Sequence, residues 1–138
     1  MTVLFICTGN TCRSPMAEGI FNSLSEGAIS RGLFAEGTKA SENAVKAMAK
    51  MGIDISEHIS TQLMREDVEN ADLVLCMTKG HKNAVLSAMP EAEGKVFTVG
   101  EYAQGADVSD PYGGSEAVYE ACAKELYEYI ERIVEKIK

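Results

Sequence analysis

No apolar run in this chain approaches the ~20 residues that a membrane-spanning helix needs. No basic segment with an apolar core opens it as a secretory leader would. The two absences point away from a membrane and toward the cytoplasm. Basic charge is scarce: 13 Lys and Arg stand against 21 Asp and Glu, for a net charge of −8. Binding to nucleic acid needs the opposite balance, so nucleic acid is not expected as a partner. Cys7, Cys12, Cys76 and Cys122 have the spacing of neither a disulfide framework nor a zinc site, which suits a reducing compartment. No His and Asp cluster demands a metal, and neither a metal nor another cofactor is expected. Gly-x4-Gly-Lys and Gly-x-Gly-x2-Gly are both missing, which removes the common nucleotide cradles. Repeats, linkers and low-complexity segments are also lacking, so residues 1–138 read as one domain, long enough for a real core.

What is present begins almost at once. Val3-Leu4-Phe5-Ile6 is a short run of β-forming apolar residues, the pattern of a buried strand. Thr8-Gly9-Asn10-Thr11 breaks it with turn residues. Ser14-Pro15 then reads as a helix start, Ser14 as N-cap and Pro15 in the first turn. A strand, a tight loop and a helix N-terminus bring backbone N–H groups together into an anion site. Cys7 stands at the strand's C-terminal end, where open α/β sheets place ligands, and Arg13 follows six positions later. An Arg fork closing a loop of amides fits the oxygens of a phosphate. The same field favours a thiolate, so Cys7 is expected to ionise readily and act as a nucleophile, with Ser14 hydrogen-bonded to its sulfur.

Cys7-Thr8-Gly9-Asn10-Thr11-Cys12-Arg13-Ser14-Pro15 resembles the phosphate-binding loop of the low-molecular-weight protein tyrosine phosphatases. Asp110-Pro111-Tyr112 resembles the general-acid segment of the same family, and the likeness runs over essentially the whole chain. The resemblance implies a protein phosphatase with Cys7, Arg13 and Asp110 as its catalytic residues. Cys7 would attack phosphorus to form a phosphocysteine, Arg13 and the loop amides would hold the oxygens, and Asp110 would protonate the leaving atom and then activate water. Thr8, Gly9, Asn10, Thr11, Cys12, Ser14 and Tyr112 would surround the substrate. The implied partners are phosphorylated proteins and, in the loop itself, inorganic phosphate or other oxyanions.

The rest of the chain alternates. Residues 15–26 have helical apolar spacing, and Leu33-Phe34-Ala35 is the candidate for the second strand. Ala35-Glu36-Gly37-Thr38 stands where the family would have a Ser-Ala-Gly-Thr run walling the pocket. A helix over 42–50 is closed by Gly52, and a short acidic helix over 64–70 precedes a strand over 71–77. A helix over 78–89 ends at Pro90, the last strand covers 95–99, and 104–112 is a loop. A final helix carries a stripe of Val118, Cys122, Leu126, Tyr129, Ile130, Ile133 and Ile137. Alternation of this kind predicts an α/β domain, doubly wound, with a parallel sheet covered by helices on both faces. The family resemblance adds four strands in the order 2-1-3-4.

Cys76 and Cys122 are expected to be packing residues, and His58 and His81 to be structural or surface residues rather than catalytic ones. Cys12 either packs or serves as a redox partner that traps oxidised Cys7 in a disulfide. Two remote rivals are an arsenate reductase and a non-catalytic phosphate-binding module. The first would need further cysteines near positions 80–90, and Lys82 to Met89 has none. The second would have no use for Cys7 or Asp110. Within the phosphatase class, Thr11 leans the substrate toward phosphoarginine over phosphotyrosine. The resembled tyrosine-specific members carry a bulky aliphatic residue there, whereas the arginine phosphatases carry Thr.

Overall fold

A computed structural model describes residues 1–138. In chain order it contains strand β1 (Val3–Cys7), helix α1 (Arg13–Leu24), strand β2 (Ala28–Gly32), helices α2 (Glu42–Lys50) and α3 (Arg65–Asn70), and strand β3 (Leu73–Cys76). Helix α4 (Lys79–Ala88), a 3₁₀ turn over Pro90–Lys95, strand β4 (Val96–Thr98), and helices α5 (Val99–Ala103) and α6 (Glu116–Ile137) follow. The four strands form one parallel sheet in the order β2-β1-β3-β4.

Each strand side chain alternates between two apolar layers, which is why the central strands read as unbroken apolar runs. Val3, Phe5 and Cys7 of β1 join Leu73 and Leu75 of β3 against α1, α2, α5 and α6. Leu4 and Ile6 join Val74, Cys76 and Val96 against Val68 of α3 and Val85 of α4. All five residues of β1 are buried, so its C-terminal end is a fixed platform for the loop that follows. Met51 ends α2 and Gly52, at φ +77°, takes the left-handed conformation after it, as the sequence suggests. No helix is long and apolar enough to cross a membrane.

Three expectations need correction. The second strand is Ala28–Gly32, not Leu33–Ala35. It is an edge strand whose Ile29 and Arg31 are only half-buried, and its polar Ser30 and Arg31 mask the apolar pattern. Leu33 and Phe34 instead form a turn, with the Phe34 side chain 76% exposed. Helix α1 starts at Arg13 with Cys12 in the cap position, so Ser14 lies inside the first turn and is not the N-cap. On α6 the buried face includes Tyr119, Ala123 and Val134, while Val118 is exposed. The five-residue α5 was not anticipated; it is held by a capping box between Thr98 and Glu101.

Candidate active site

The loop between β1 and α1 is built around Asn10, which is fully buried at φ +57°. Asn tolerates this left-handed conformation because its short polar side chain bonds locally. Here every polar group of the residue except its own amide N–H is engaged. Asn10 Oδ1 accepts from the Thr61 N–H at 2.9 Å, and the Asn10 carbonyl accepts from His58 Nε2 at 2.8 Å. Asn10 Nδ2 donates to Ser14 Oγ at 2.7 Å and to Ser30 Oγ at 3.0 Å. Ser30 in turn donates to Glu18 Oε1 at 2.6 Å.

At the far end Glu18 accepts from the Ser30 hydroxyl, and the amide nitrogen of Asn10 can only donate to Ser14. Ser14 Oγ lies 2.8 Å from Cys7 Sγ, and it donates to the sulfur once Cys7 is a thiolate, which can only accept. Gly32 makes room for the arrangement: a Cβ there would stand 2.8 Å from the Thr8 carbonyl oxygen and 2.9 Å from Asn10 Cβ. Ser30 and Gly32 on β2 thus supply the small residues that the sequence pattern sought at 35–38.

Arg13 opens α1 and is 5% exposed. Its Nη1 donates to the Val108 carbonyl at 2.9 Å, and its Nη2 lies 3.7 Å from Asp110 Oδ2. Asp110 is half-exposed and accepts the Tyr112 N–H at 3.0 Å, a local turn that Pro111 stiffens. The loop carrying Asp110 is pinned upstream. Lys79 N donates to Asp107 Oδ2 at 3.0 Å, Val108 N to the Met77 carbonyl at 3.0 Å, and Ala106 N to the Tyr129 hydroxyl at 3.0 Å.

These pieces enclose a pocket of about 260 Å³ lined by Cys7, Thr8, Gly9, Thr11, Cys12, Arg13, Asp110 and Tyr112. Eight of the ten residues expected at the site thus face it. Asn10 and Ser14 lie beneath it and act by holding the loop and the sulfur. Residues 35–38 do not line it. Cys12 packs with its Sγ 3.3 Å from the Tyr119 hydroxyl and 3.6 Å from Ser41 Oγ. Burial, with Cys12 beside it, pushes the Tyr119 phenol up to about 12. Cys76 and Cys122 are pushed up to about 12, chiefly by burial, as inert packing residues would be. All four thiols are free.

Sequence reasoning missed two supports of the loop. His58 holds the Asn10 carbonyl across 48 residues, and His81 Nε2 lies 2.8 Å from Thr8 Oγ1 across 73. No local spacing could reveal either. Burial first, and the Arg13 guanidinium second, lower the His81 pKa from its ordinary value. No three His, Cys, Asp or Glu side chains converge to hold a metal ion.

Comparison with known proteins gives the same picture. Residues 2–138 match the family described as low molecular weight phosphotyrosine protein phosphatase. The protein-arginine-phosphatase of Bacillus subtilis is 42% identical over 147 residues, spanning all of this chain and 97% of that one. The low molecular weight protein-tyrosine-phosphatase PtpB of Staphylococcus epidermidis is 39% identical over 137 residues, spanning 96% of each. Among solved structures, a C7S variant of YwlE arginine phosphatase, with its active-site serine phosphorylated, superimposes with a TM-score of 0.95. It is 40% identical and covers 99% of this chain and 95% of that one. The loop, the pocket and these relatives agree: the chain belongs to the low molecular weight phosphotyrosine protein phosphatase family and is a cysteine-based phosphatase, a hydrolase.

Proposed function

We propose that residues 1–138 act as one cytoplasmic phosphatase domain that removes phosphate from phosphoarginine in proteins through a phosphocysteine intermediate. Cys7 Sγ attacks phosphorus, the S–P bond forms and the bond from phosphorus to the leaving atom breaks. Asp110 hands its proton to that atom. Its carboxylate then takes a proton from water, the water oxygen attacks phosphorus, and the S–P bond breaks to return the Cys7 thiolate and inorganic phosphate. The support is geometric: Cys7, Arg13 and Asp110 share one pocket, and Ser14 is set to donate to the sulfur both as nucleophile and as leaving group. The phosphorylated serine in the C7S relative agrees with phosphate transfer to this position.

The observation that carries the choice of phosphoarginine is Thr11 in the pocket wall. Relatives at 42% and 39% identity bear different activities, so identity alone does not choose. Thr keeps the β-branched shape of Ile and adds a hydroxyl. A guanidinium beside an aliphatic wall leaves N–H groups unpaired, whereas a phenyl ring is at home there. The Asp110 carboxyl can accept from the same guanidinium through its unprotonated oxygen before it acts as acid. A net charge of −8 also favours a cationic substrate region. The test is kcat/KM on matched phosphoarginine and phosphotyrosine peptides, for wild type and Thr11→Ile. The wild type should favour phosphoarginine and Thr11→Ile should shift the ratio toward phosphotyrosine. A wild type that prefers phosphotyrosine, or a ratio unmoved by Thr11→Ile, contradicts the reading.

A further inference from the structure

Thr8 faces the pocket, yet its hydroxyl is also engaged from behind. Thr8 Oγ1 lies 2.8 Å from His81 Nε2, and the other ring nitrogen, Nδ1, lies 3.1 Å from Thr78 Oγ1. His81 is 7% exposed and sits in the first turn of α4, which Thr78 caps by accepting the His81 backbone N–H at 3.2 Å. A chain of three side chains therefore runs from a helix cap to the wall of the pocket. None of the phosphoryl-transfer steps uses it.

A neutral imidazole has one N–H and one lone pair. The chain therefore has two senses. In the first, Nδ1–H donates to Thr78, Nε2 accepts from the Thr8 hydroxyl, and the Thr8 oxygen turns a lone pair to the pocket. In the second, Thr78 donates to Nδ1, Nε2–H donates to Thr8, and the Thr8 proton is left for the pocket. Passing between them moves one ring proton and turns two hydroxyls, with no change in net charge. Burial and Arg13 hold the ring neutral against the opposing pull of Asp110 and Asp107. A wall of this kind meets two chemistries. Phosphate oxygens accept hydrogen bonds, and the N–H groups of a guanidinium donate them. Phosphotyrosine has no N–H beside its scissile bond, and phosphoarginine does.

We propose that His81 is a positioning residue for N-phosphorylated substrates, acting through Thr8 to turn an acceptor toward the guanidinium N–H groups next to the scissile bond. The role rests on the phosphoarginine reading and adds to Thr11 a second polar wall whose sense reverses. Without the ring, Thr8 loses the partner that orients it, and without the hydroxyl the wall has no acceptor.

The test is kcat/KM on matched phosphoarginine and phosphotyrosine peptides for wild type, Thr8→Val, His81→Phe and the double variant. The phosphoarginine-to-phosphotyrosine ratio should fall roughly tenfold in each single variant, the worth of one hydrogen bond to a charged group. The double variant should fall no further than Thr8→Val, because His81 acts only through that hydroxyl. A wild type that prefers phosphoarginine, with the ratio unchanged in Thr8→Val, overturns the relay and leaves the substrate reading standing. Losses that multiply in the double variant overturn it as well. A wild type that prefers phosphotyrosine overturns both. If circular dichroism shows His81→Phe unfolded, Thr8→Val alone decides by the same ratio.

Discussion

Cys7 Sγ lies 2.8 Å from Ser14 Oγ, and Ser14 is tied through Asn10 and Ser30 to Glu18. Asn10 is the junction. Asn10→Ala would strip partners from Ser14, Ser30 and Thr61 and leave a non-Gly residue at φ +57°. Each orphaned group costs about 1–3 kcal/mol and the backbone strain is of similar size. Urea unfolding should show that loss and kcat should fall with it; an Asn10→Ala protein of wild-type stability would remove Asn10 from its role. Asp110 answers to a different measurement. Asp110→Ala should lower the rate roughly 10²–10⁴-fold for a poor leaving group and less for one that needs no proton. Equal losses for both kinds of leaving group would argue against its acid role. Cys12 shares the loop with Cys7, and we propose that it is its redox partner. Peroxide would oxidise the Cys7 thiolate to a sulfenic acid, and Cys12 would displace water to form the disulfide. Thiol-reversible inactivation with a mapped Cys7–Cys12 bridge is the expected result. Recovery of Cys12→Ser as complete as wild type would show that the bridge protects nothing.

Among the elements, α6 carries the packing. Leu126, Ile130 and Ile133 are fully buried against the layer that also covers Phe5 and Leu75. Leu126→Ala should cost about 2–5 kcal/mol in chemical denaturation, since the cavity adds to the lost transfer energy. A cost under about 1 kcal/mol would mean that the site collapses around the truncation. The elements differed in how plainly the sequence announced them. β1 and β3 read as strands because both of their faces are apolar, and α6 read as a helix because its stripe repeats over many turns. β2 did not, because an edge strand shows its outer residues to solvent and here devotes Ser30 to the loop. Val118 entered the expected stripe on spacing alone. The helix is turned so that Tyr119 points inward to Cys12.

The whole molecule shows where sequence reading stops. Cys7 and Arg13 were legible because one loop carries both, and Asp110 because a motif marks it. His58, Ser30 and His81 reach the same loop from distant positions and have only the fold to reveal them. His81 also gives the fold a pH signature. Its pKa is lowered from 6.5 in the folded state, by burial first and by Arg13 second, with Asp110 and Asp107 opposing. As pH falls through 6.5 the unfolded chain takes the proton before the folded one. Stability is thus fully present above that pH and is lost below it. Urea midpoints should fall more steeply below pH 6.5 for wild type than for His81→Gln; parallel slopes would contradict this. The proposed reaction requires phosphate to pass through Cys7. The direct measurement is rapid-quench mass spectrometry during turnover of a phosphoarginine peptide. A phosphate adduct on the peptide containing Cys7, with turnover abolished in Cys7→Ser while phosphate still binds, is the predicted result. Turnover without that adduct, or substantial kcat in Cys7→Ser, would contradict it.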